Sequence, residues 1–278
     1  MPGLLGPVGE LWPLKCAASL RVSDGPRGTA VRMLSGLVRY QHAPTPRRVW
    51  DVSVATATPE EAATLAHRAG RRGDVSRPWW FLSEEAQTAN MLTPGVSMLE
   101  EGHRSGGSRA TVSATLFSST DGWRPLSVAT QGGSGSIIFA SSATGISAAI
   151  PHDTTFTASV YFTRPAGGED SSFRVEEIDQ TGTVTHTHYA RCRTDDALTR
   201  LVITATTQTT TVAVRLVAYK PLAVADPCLT LTDRALPYAV GQGCSRSVLH
   251  EASHDVQRAT TMAWDRRSAW DYQIMEVG

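Results

Sequence analysis

The stretch that most constrains this chain is Pro78-Trp79-Trp80-Phe81-Leu82-Ser83, with its exit through Asn90-Met91-Leu92-Thr93-Pro94. Each large aromatic removes roughly 150–250 Å² from water when buried, so three in succession mark a buried strand. The Asn-x-x-Thr-Pro exit brings turn chemistry and a proline at the point where the chain changes character. The chemistry here is packing, not catalysis. Everything upstream reads as one compact body, and everything downstream as a second body followed by a return.

Upstream, residues 14–22 and 29–40 are predicted strands separated by Ser23-Asp24-Gly25-Pro26-Arg27-Gly28, and a hairpin is the simplest arrangement. In residues 48–55, Trp50, Val52 and Val54 recur at period two, the signature of a half-buried strand. The period then changes. Thr58-Pro59-Glu60-Glu61 offers a Thr cap, a Pro at the first helical position and a Glu three residues after the cap. Ala62, Leu65, Ala66 and Ala69 follow at helical spacing, predicting one short helix before the aromatic strand. Downstream, Gly102, Gly106 and Gly107 with Ser105 and Ser108 form a joint too polar for a core.

Residues 110–218 are rich in Thr, Ser, Val and Ala, with turn signals such as Thr120-Asp121-Gly122, Ala166-Gly167-Gly168 and Gln180-Thr181-Gly182. Phe156, Ala158, Val160 and Phe162 alternate with Thr157, Ser159 and Tyr161, and residues 201–205 and 212–216 alternate likewise. About eight short strands of this kind fit a jelly-roll. Residues 247–252, 260–264 and 270–277 read as three further strands. The last should pair with an existing sheet, because a lone edge leaves its backbone unsatisfied.

A chain of 278 residues is natural for two domains. Lys+Arg 26 against Asp+Glu 26 leaves no basic field for nucleic acid. Cys16, Cys192, Cys228 and Cys244 are scattered without a Cys-x-x-Cys pair, which predicts reduced, structural thiols. The N-terminus meets Pro7, Glu10 and Pro13 without a basic leader, and no segment approaches the ~20 apolar residues of a membrane span. The expectation is a soluble protein made in the cytoplasm.

Arg48-Val49-Trp50-Asp51-Val52-Ser53, Thr58-Pro59-Glu60-Glu61, Pro78-Trp79-Trp80-Phe81 leading to Asn90-Met91-Leu92-Thr93-Pro94, and the terminal Glu276-Val277-Gly278 together resemble minor tail proteins of long-tailed, siphovirus-type phages of actinobacteria. Those are similar in turn to the distal tail proteins that form a ring at the tail tip. The resemblance implies a mainly β chain: an N-terminal β-sandwich with one short α-helix, an inserted jelly-roll β-sandwich like a carbohydrate-binding module, and a returning C-terminal β-hairpin. Residues 1–105 plus 233–278 would build the ring around Trp50, Leu65, Trp79, Trp80 and Phe81, and residues 106–232 would project outward. It further implies a virion tail-tip location, host cytoplasm during assembly, no cofactor and no enzymatic role. The implied partners are further copies of the chain, the tail tube protein, the tail hub and other tail-tip proteins, and host-surface glycan. In the middle, the likeness to carbohydrate-binding modules is one of rhythm alone.

Trp123 and Tyr161 are the aromatics on which a sugar ring would stack, with Asp121, Arg124 and Asp153 as polar neighbours, against the reading that they are core. His250-Glu251-Ala252-Ser253-His254 is a literal His-Glu-x-x-His, which on a helix would hold zinc with Glu251 activating water and Glu276 as a third ligand. Gly241, Gly243 and Ser245 before it and Asp255 after it argue against that helix, so a zinc hydrolase stands as one alternative and a free carbohydrate-binding module with an accessory domain as another. His186, His188 and Cys192 offer a metal half-site or a polar solvent face in a Thr-rich strand, and the second reading is preferred. Gly133-Ser134-Gly135-Ser136 is a flexible turn, and Glu84-Glu85, Glu100-Glu101 and Glu176-Glu177 read as solvated faces or caps.

Overall fold

The computed structural model describes residues 3–14, 19–24, 28–32, 38–42, 48–58, 60–61, 63, 79–99, 103–104, 111–119, 122–130, 135–141, 144–166, 170–193, 198–258 and 267–276. The fold is mainly β. Strands β1 (Leu4–Pro7), β2 (Trp12–Pro13), β3 (Ser19–Asp24), β4 (Gly28–Arg32), β5 (Val38–His42) and β6 (Arg48–Ala57) precede the aromatic run, which forms β7 (Trp79–Leu82). Helices α1 (Glu84–Ala89) and α2 (Pro94–Ser97) follow. Then come β8 (His103–Arg104), β9 (Thr111–Ser119), β10 (Gly122–Thr130), β11 (Ser136–Phe139), β12 (Ala148–Ala149) and β13 (Thr155–Thr163). The remaining strands are β14 (Ser172–Ile178), β15 (Val184–Arg191), β16 (Thr199–Thr206), β17 (Ala213–Tyr219), β18 (Ala223–Thr230), β19 (Cys244–Arg258) and β20 (Arg267–Glu276).

Two compact units share this chain: Met1–Pro13 with Trp80–Ser245, and Leu14–Trp79 with Arg246–Gly278. The sequence pointed to borders near 105 and 233, whereas the units part at Trp79 and Ser245. The reason is packing: Trp80, Leu82, Met91, Leu92 and Val96 belong to one buried cluster with Phe139 and Phe156. The chain, which begins in the larger unit, therefore returns to it at the aromatic strand, before the Gly/Ser run.

The larger unit is a β-sandwich. One antiparallel sheet has the order β16-β13-β18-β10-β9, and the other β15-β14-β17-β11-β8, with β12 beside β17. Phe156, Val160, Phe162 and Leu229 of the first share a core with Phe139, Phe173, Val175 and Leu216 of the second. The expected alternation on β13 has a further twist, since its second face is buried as well. Thr157 donates to the Thr232 carbonyl at 2.7 Å, and Arg200 donates to both Ser159 Oγ and the Leu236 carbonyl, so residues 232–236 run across that face.

In the smaller unit β19, β20, β6 and β3 form successive antiparallel pairs, so the C-terminal strand is paired on both sides as its pattern required. Trp50, Val52 and Val54 are buried on β6, as are Trp270, Tyr272 and Ile274 on β20. A forked ion pair links the ends of these strands: Arg48 Nε lies 2.9 Å from Glu276 Oε2 and Nη2 lies 3.0 Å from Oε1. Ser247, opposite Glu276 in the ladder, donates its hydroxyl to the Trp79 carbonyl at 3.1 Å. Among the described residues, the expected hairpin of residues 14–22 with 29–40 is not seen. β3 pairs with β6, and residues 28–42 supply their own pair, β4 with β5. The capping box is present, with Thr58 N donating to Glu61 Oε2 at 2.9 Å and Glu61 N to Thr58 Oγ1 at 3.3 Å. Leu65 and most of that expected helix lie outside the described residues.

Two short helices were not anticipated. Ser83 caps α1 by accepting from Ala86 N, and Thr93 caps α2, with Pro94 in its first turn. Between them Asn90 is fully buried and satisfies four backbone groups. Its amide donates to the Pro227 and Ala239 carbonyls at 3.2 and 2.9 Å, and its oxygen accepts from Leu92 N and Leu229 N at 3.2 and 3.1 Å. The segment returning past Ala239 lies so close that a Cβ on Gly243 would stand 2.0 Å from the Met91 carbonyl oxygen, and one on Gly241 2.3 Å from that of Leu92.

Asn90→Ala leaves two buried carbonyls and two buried N–H groups without partners and is expected to lower stability by about 3 kcal/mol. Gly243→Ala should match it by forcing the two backbones apart. Denaturant midpoints measure both, and an Asn90→Ala chain as stable as wild type would refute the role given to this side chain.

Candidate functional site

The aromatics and polar groups singled out from sequence do not meet. Tyr161 is 3% exposed, packed with Ala223 and Ala225, and the Arg200 guanidinium lies 5.9 Å from its ring centroid. It therefore offers no open face to a sugar. Trp123 and Arg124 pair with Ser118 and Phe117 of β9, and β10 is separated from β13 by β18. Asp121 lies outside the described residues. Asp153 is exposed at a positive φ of 52°, with its carboxylate 2.8 Å from His152 Nδ1. It precedes β13, whose first residue, Thr155, lies roughly 20 Å from Tyr161 at the rise of an extended strand.

The residues expected to form one assembly core are also divided. Trp50 is buried in the smaller unit, whereas Trp80 belongs to the core of the larger one; Phe81 is buried and Trp79 half-buried. His250, Glu251 and His254 lie on β19, with a ladder irregularity between His250 and Ala252. A strand rises roughly 3.3 Å per residue, which sets the two histidine backbones on the order of 13 Å apart. A helix would stack them one turn apart, so the arrangement that zinc hydrolysis requires is absent here. Glu276, its suggested third ligand, pairs with Arg48.

A different cluster is assembled at the sandwich edge. β15 is the outermost strand of its sheet, and β16 the outermost of the other. Between them lies a shallow groove of about 510 Å³ lined by His186, Thr187, His188, Tyr189, Val202 and Thr204. Tyr189 is 63% exposed and Val202 41%. The Arg191 guanidinium stands 5.8 Å from the Tyr189 ring centroid. The rings of His186 and His188 meet edge to face with centroids 4.5 Å apart.

Beneath the groove is Glu177, whose side chain is wholly buried. Its Oε1 lies 2.6 Å from His188 Nε2, while Oε2 accepts from Gln208 N at 2.9 Å and from the Thr211 hydroxyl. Burial pushes its pKa up, but the Gln208 N–H, the Thr211 hydroxyl and His188 together outweigh it and hold the carboxyl below its ordinary value. Glu176, its neighbour, pairs with Arg215 Nη2 at 2.6 Å. The pair read as solvated is thus split, because adjacent strand residues face opposite ways. His188 is engaged by Glu177, and Cys192 is buried with its carbonyl accepting from Arg164, so these three do not form the metal half-site considered from sequence. Cys192, Cys228 and Cys244 are buried reduced thiols, with burial pushing Cys228 up to about 11; Cys16 lies outside the described residues.

Tyr189 escaped sequence reasoning because it carries no motif. The available signal was the exposed strand Thr-His-Thr-His-Tyr following an acidic pair, one of whose members had to point inward.

No family model matches the chain, and no curated protein matches it. Among solved structures it is similar to the CBM22-1–GH10 modules of the endo-1,4-β-D-xylanase 10B of Clostridium thermocellum complexed with xylohexaose, at 12% identity and a TM-score of 0.35. That likeness covers 55% of this chain and 29% of that one. A second is the enzymatically active domain of bacteriophage CBA120 tailspike protein 4, at 8% identity and a TM-score of 0.35, covering 51% of this chain and 21% of that one. A third is the CBM22-1 xylan-binding domain of Paenibacillus barcinonensis Xyn10C, at 15% identity and a TM-score of 0.29, covering 53% and 99%. The chain thus spans less than a third of the first two, and likenesses at these TM-scores carry no argument about function.

With its pKa depressed in the folded state, Glu177 contributes stability that is present above the ordinary carboxylate pKa of ~4.3 and lost as pH falls through the lower folded value. Glu177→Gln is expected to cost about 2 kcal/mol at neutral pH and to flatten the loss of stability between about pH 5 and pH 3. Thermal unfolding across that range measures it, and an unchanged pH slope would remove Glu177 from the account.

Proposed function

We propose that this chain is a non-catalytic structural and adhesive protein of a phage tail tip. In this reading residues 14–79 with 246–278 assemble with further copies into a ring at the end of the tail tube, in contact with tube and hub proteins. The larger unit is the displayed sandwich and recognises host-surface glycan. The observation that carries the adhesive part is the groove at β15 and β16: one highly exposed aromatic ring beside hydroxyl and imidazole groups on a rigid sheet edge. An aromatic face stacks on the apolar face of a sugar ring while polar neighbours bond its hydroxyls. The assembly part is supported by the resemblance over residues 48–94 and by the manner in which residues 80–245 interrupt the smaller unit.

Glycan-array binding by the full chain, repeated with Tyr189→Ala, tests the groove. The expected outcome is binding that the substitution weakens about tenfold or more, the loss of ~1.4 kcal/mol or more of stacking. Equal binding by both proteins would move recognition elsewhere. Light scattering tests assembly: self-association, alone or with tail tube protein, is expected, and a strict monomer under both conditions would leave an adhesive module without the ring.

A further inference from the structure

A second groove of about 510 Å³ opens at one end of the same sandwich, lined by the turn at Asp179, Gln180 and Thr181, the segment from Thr209 to Val212, and Ile150 to His152. Both walls are fixed from behind. On one side the Asp179 carboxylate accepts from Thr181 N at 2.9 Å, from the Thr181 hydroxyl at 2.7 Å and from Thr183 N at 2.9 Å, closing a tight turn. On the other, the buried Glu177 carboxylate holds Gln208 N and the Thr211 hydroxyl, and Val212 N donates to the Ile178 carbonyl at 2.9 Å. Gly9, at a φ of +87°, sits against both, since a Cβ there would lie 3.4 Å from Val212 Cγ1 and 3.5 Å from Gln180 Cγ.

The lining chemistry selects a ligand. Four threonines and Gln180 supply neutral donors and acceptors, and Ile150, Pro151, Leu11 and Val212 supply apolar surface. No Lys or Arg is among the described lining residues, the His152 imidazole already faces the Asp153 carboxylate at 2.8 Å, and Asp179 opposes an anion. Among the described lining residues there is also no Trp, Tyr or Phe, which distinguishes this groove from the one at Tyr189. The volume falls within the range of roughly 300–1,000 Å³ that small-molecule sites occupy.

We propose that this end groove is a second, preorganised binding site for a neutral saccharide, held by hydrogen bonds to its hydroxyls rather than by stacking. It rests on the glycan reading of the sandwich only for the ligand class, since different residues build it. Glu177 stands behind both grooves, contacting His188 of the first and Thr211 of the second, so one buried carboxylate positions both walls.

The test is an amide NMR titration of the full chain with neutral hexasaccharides of xylose, glucose, mannose and arabinose, and with hexagalacturonate, each to millimolar concentration. Saturable shifts at Gln180, Thr181, Thr209 and Thr210 with a neutral hexasaccharide are expected. Thr210→Trp, at an exposed position, should weaken that binding about tenfold, while Tyr189→Ala changes it less than about twofold. Shifts confined to His186, His188, Tyr189 and Val202 would overturn the second site and leave the first standing. Shifts confined to the end groove would do the reverse. Response to hexagalacturonate alone overturns the ligand class, unchanged affinity in Thr210→Trp overturns the location, and no shift with any hexasaccharide overturns both sites.

Discussion

The larger unit depends on the buried amide of Asn90. In a sandwich the sheets are internally satisfied, and the difficulty lies where the chain enters, turns through two short helices and passes beneath a returning segment. Backbone groups there are buried without a ladder to pair with, and each left alone costs on the order of 1–3 kcal/mol. Asn90 meets four of them, from residues 92, 227, 229 and 239, with one planar side chain. Aspartate would lack the two donors and leucine all four contacts. Direct backbone bonds complete the junction: Met91 N to the Leu229 carbonyl at 2.7 Å, Gln242 N to that of Asn90 at 2.9 Å, and Gly243 N to that of Leu92 at 2.9 Å. The last two need an approach that only glycine at 241 and 243 permits.

The second constraint is Glu177. A wholly buried carboxylate is tolerable only when its lone pairs are filled, and here an imidazole, an amide N–H and a hydroxyl fill them. The consequence is local order at the sandwich edge, where little apolar packing is available. Strand β15 is largely exposed along its length, yet His188 is fixed by Glu177 on one side and touches the core ring of Phe156, with centroids 5.8 Å apart, on the other. Recognition surfaces benefit from such fixing because less side-chain freedom is lost on binding.

The strands were legible where hydrophobic period was undisturbed. Trp50, Val52 and Val54 announced their face, and Trp270, Tyr272 and Ile274 required a paired terminal strand, which β6 and β19 provide. The Thr58 and Glu61 pair was readable because capping is local chemistry. Other features depend on contacts between residues far apart in sequence. Nothing in residues 155–163 says that Thr157 and Ser159 face residues 232–236 and Arg200 rather than water. Likewise, Tyr161 and Tyr189 have similar strand contexts, and only packing against Ala223, Ala225 and Arg200 buries the first while the second, on an outermost strand, stays exposed. A Gly/Ser run marks a break in packing only when both sides pack separately, and Trp80, Leu82, Met91, Leu92 and Val96 already belong to the core beyond it.

The aromatic run remains central, but its role divides along its length. Trp79 holds the smaller unit by giving its carbonyl to Ser247, while Trp80 and Leu82 enter the core of the larger one. Neighbouring residues of one short strand thus serve two bodies, and the same happens at Ser245 and Arg246 in β19. The division thus falls inside strands β7 and β19, away from the Gly/Ser segment that first suggested a seam.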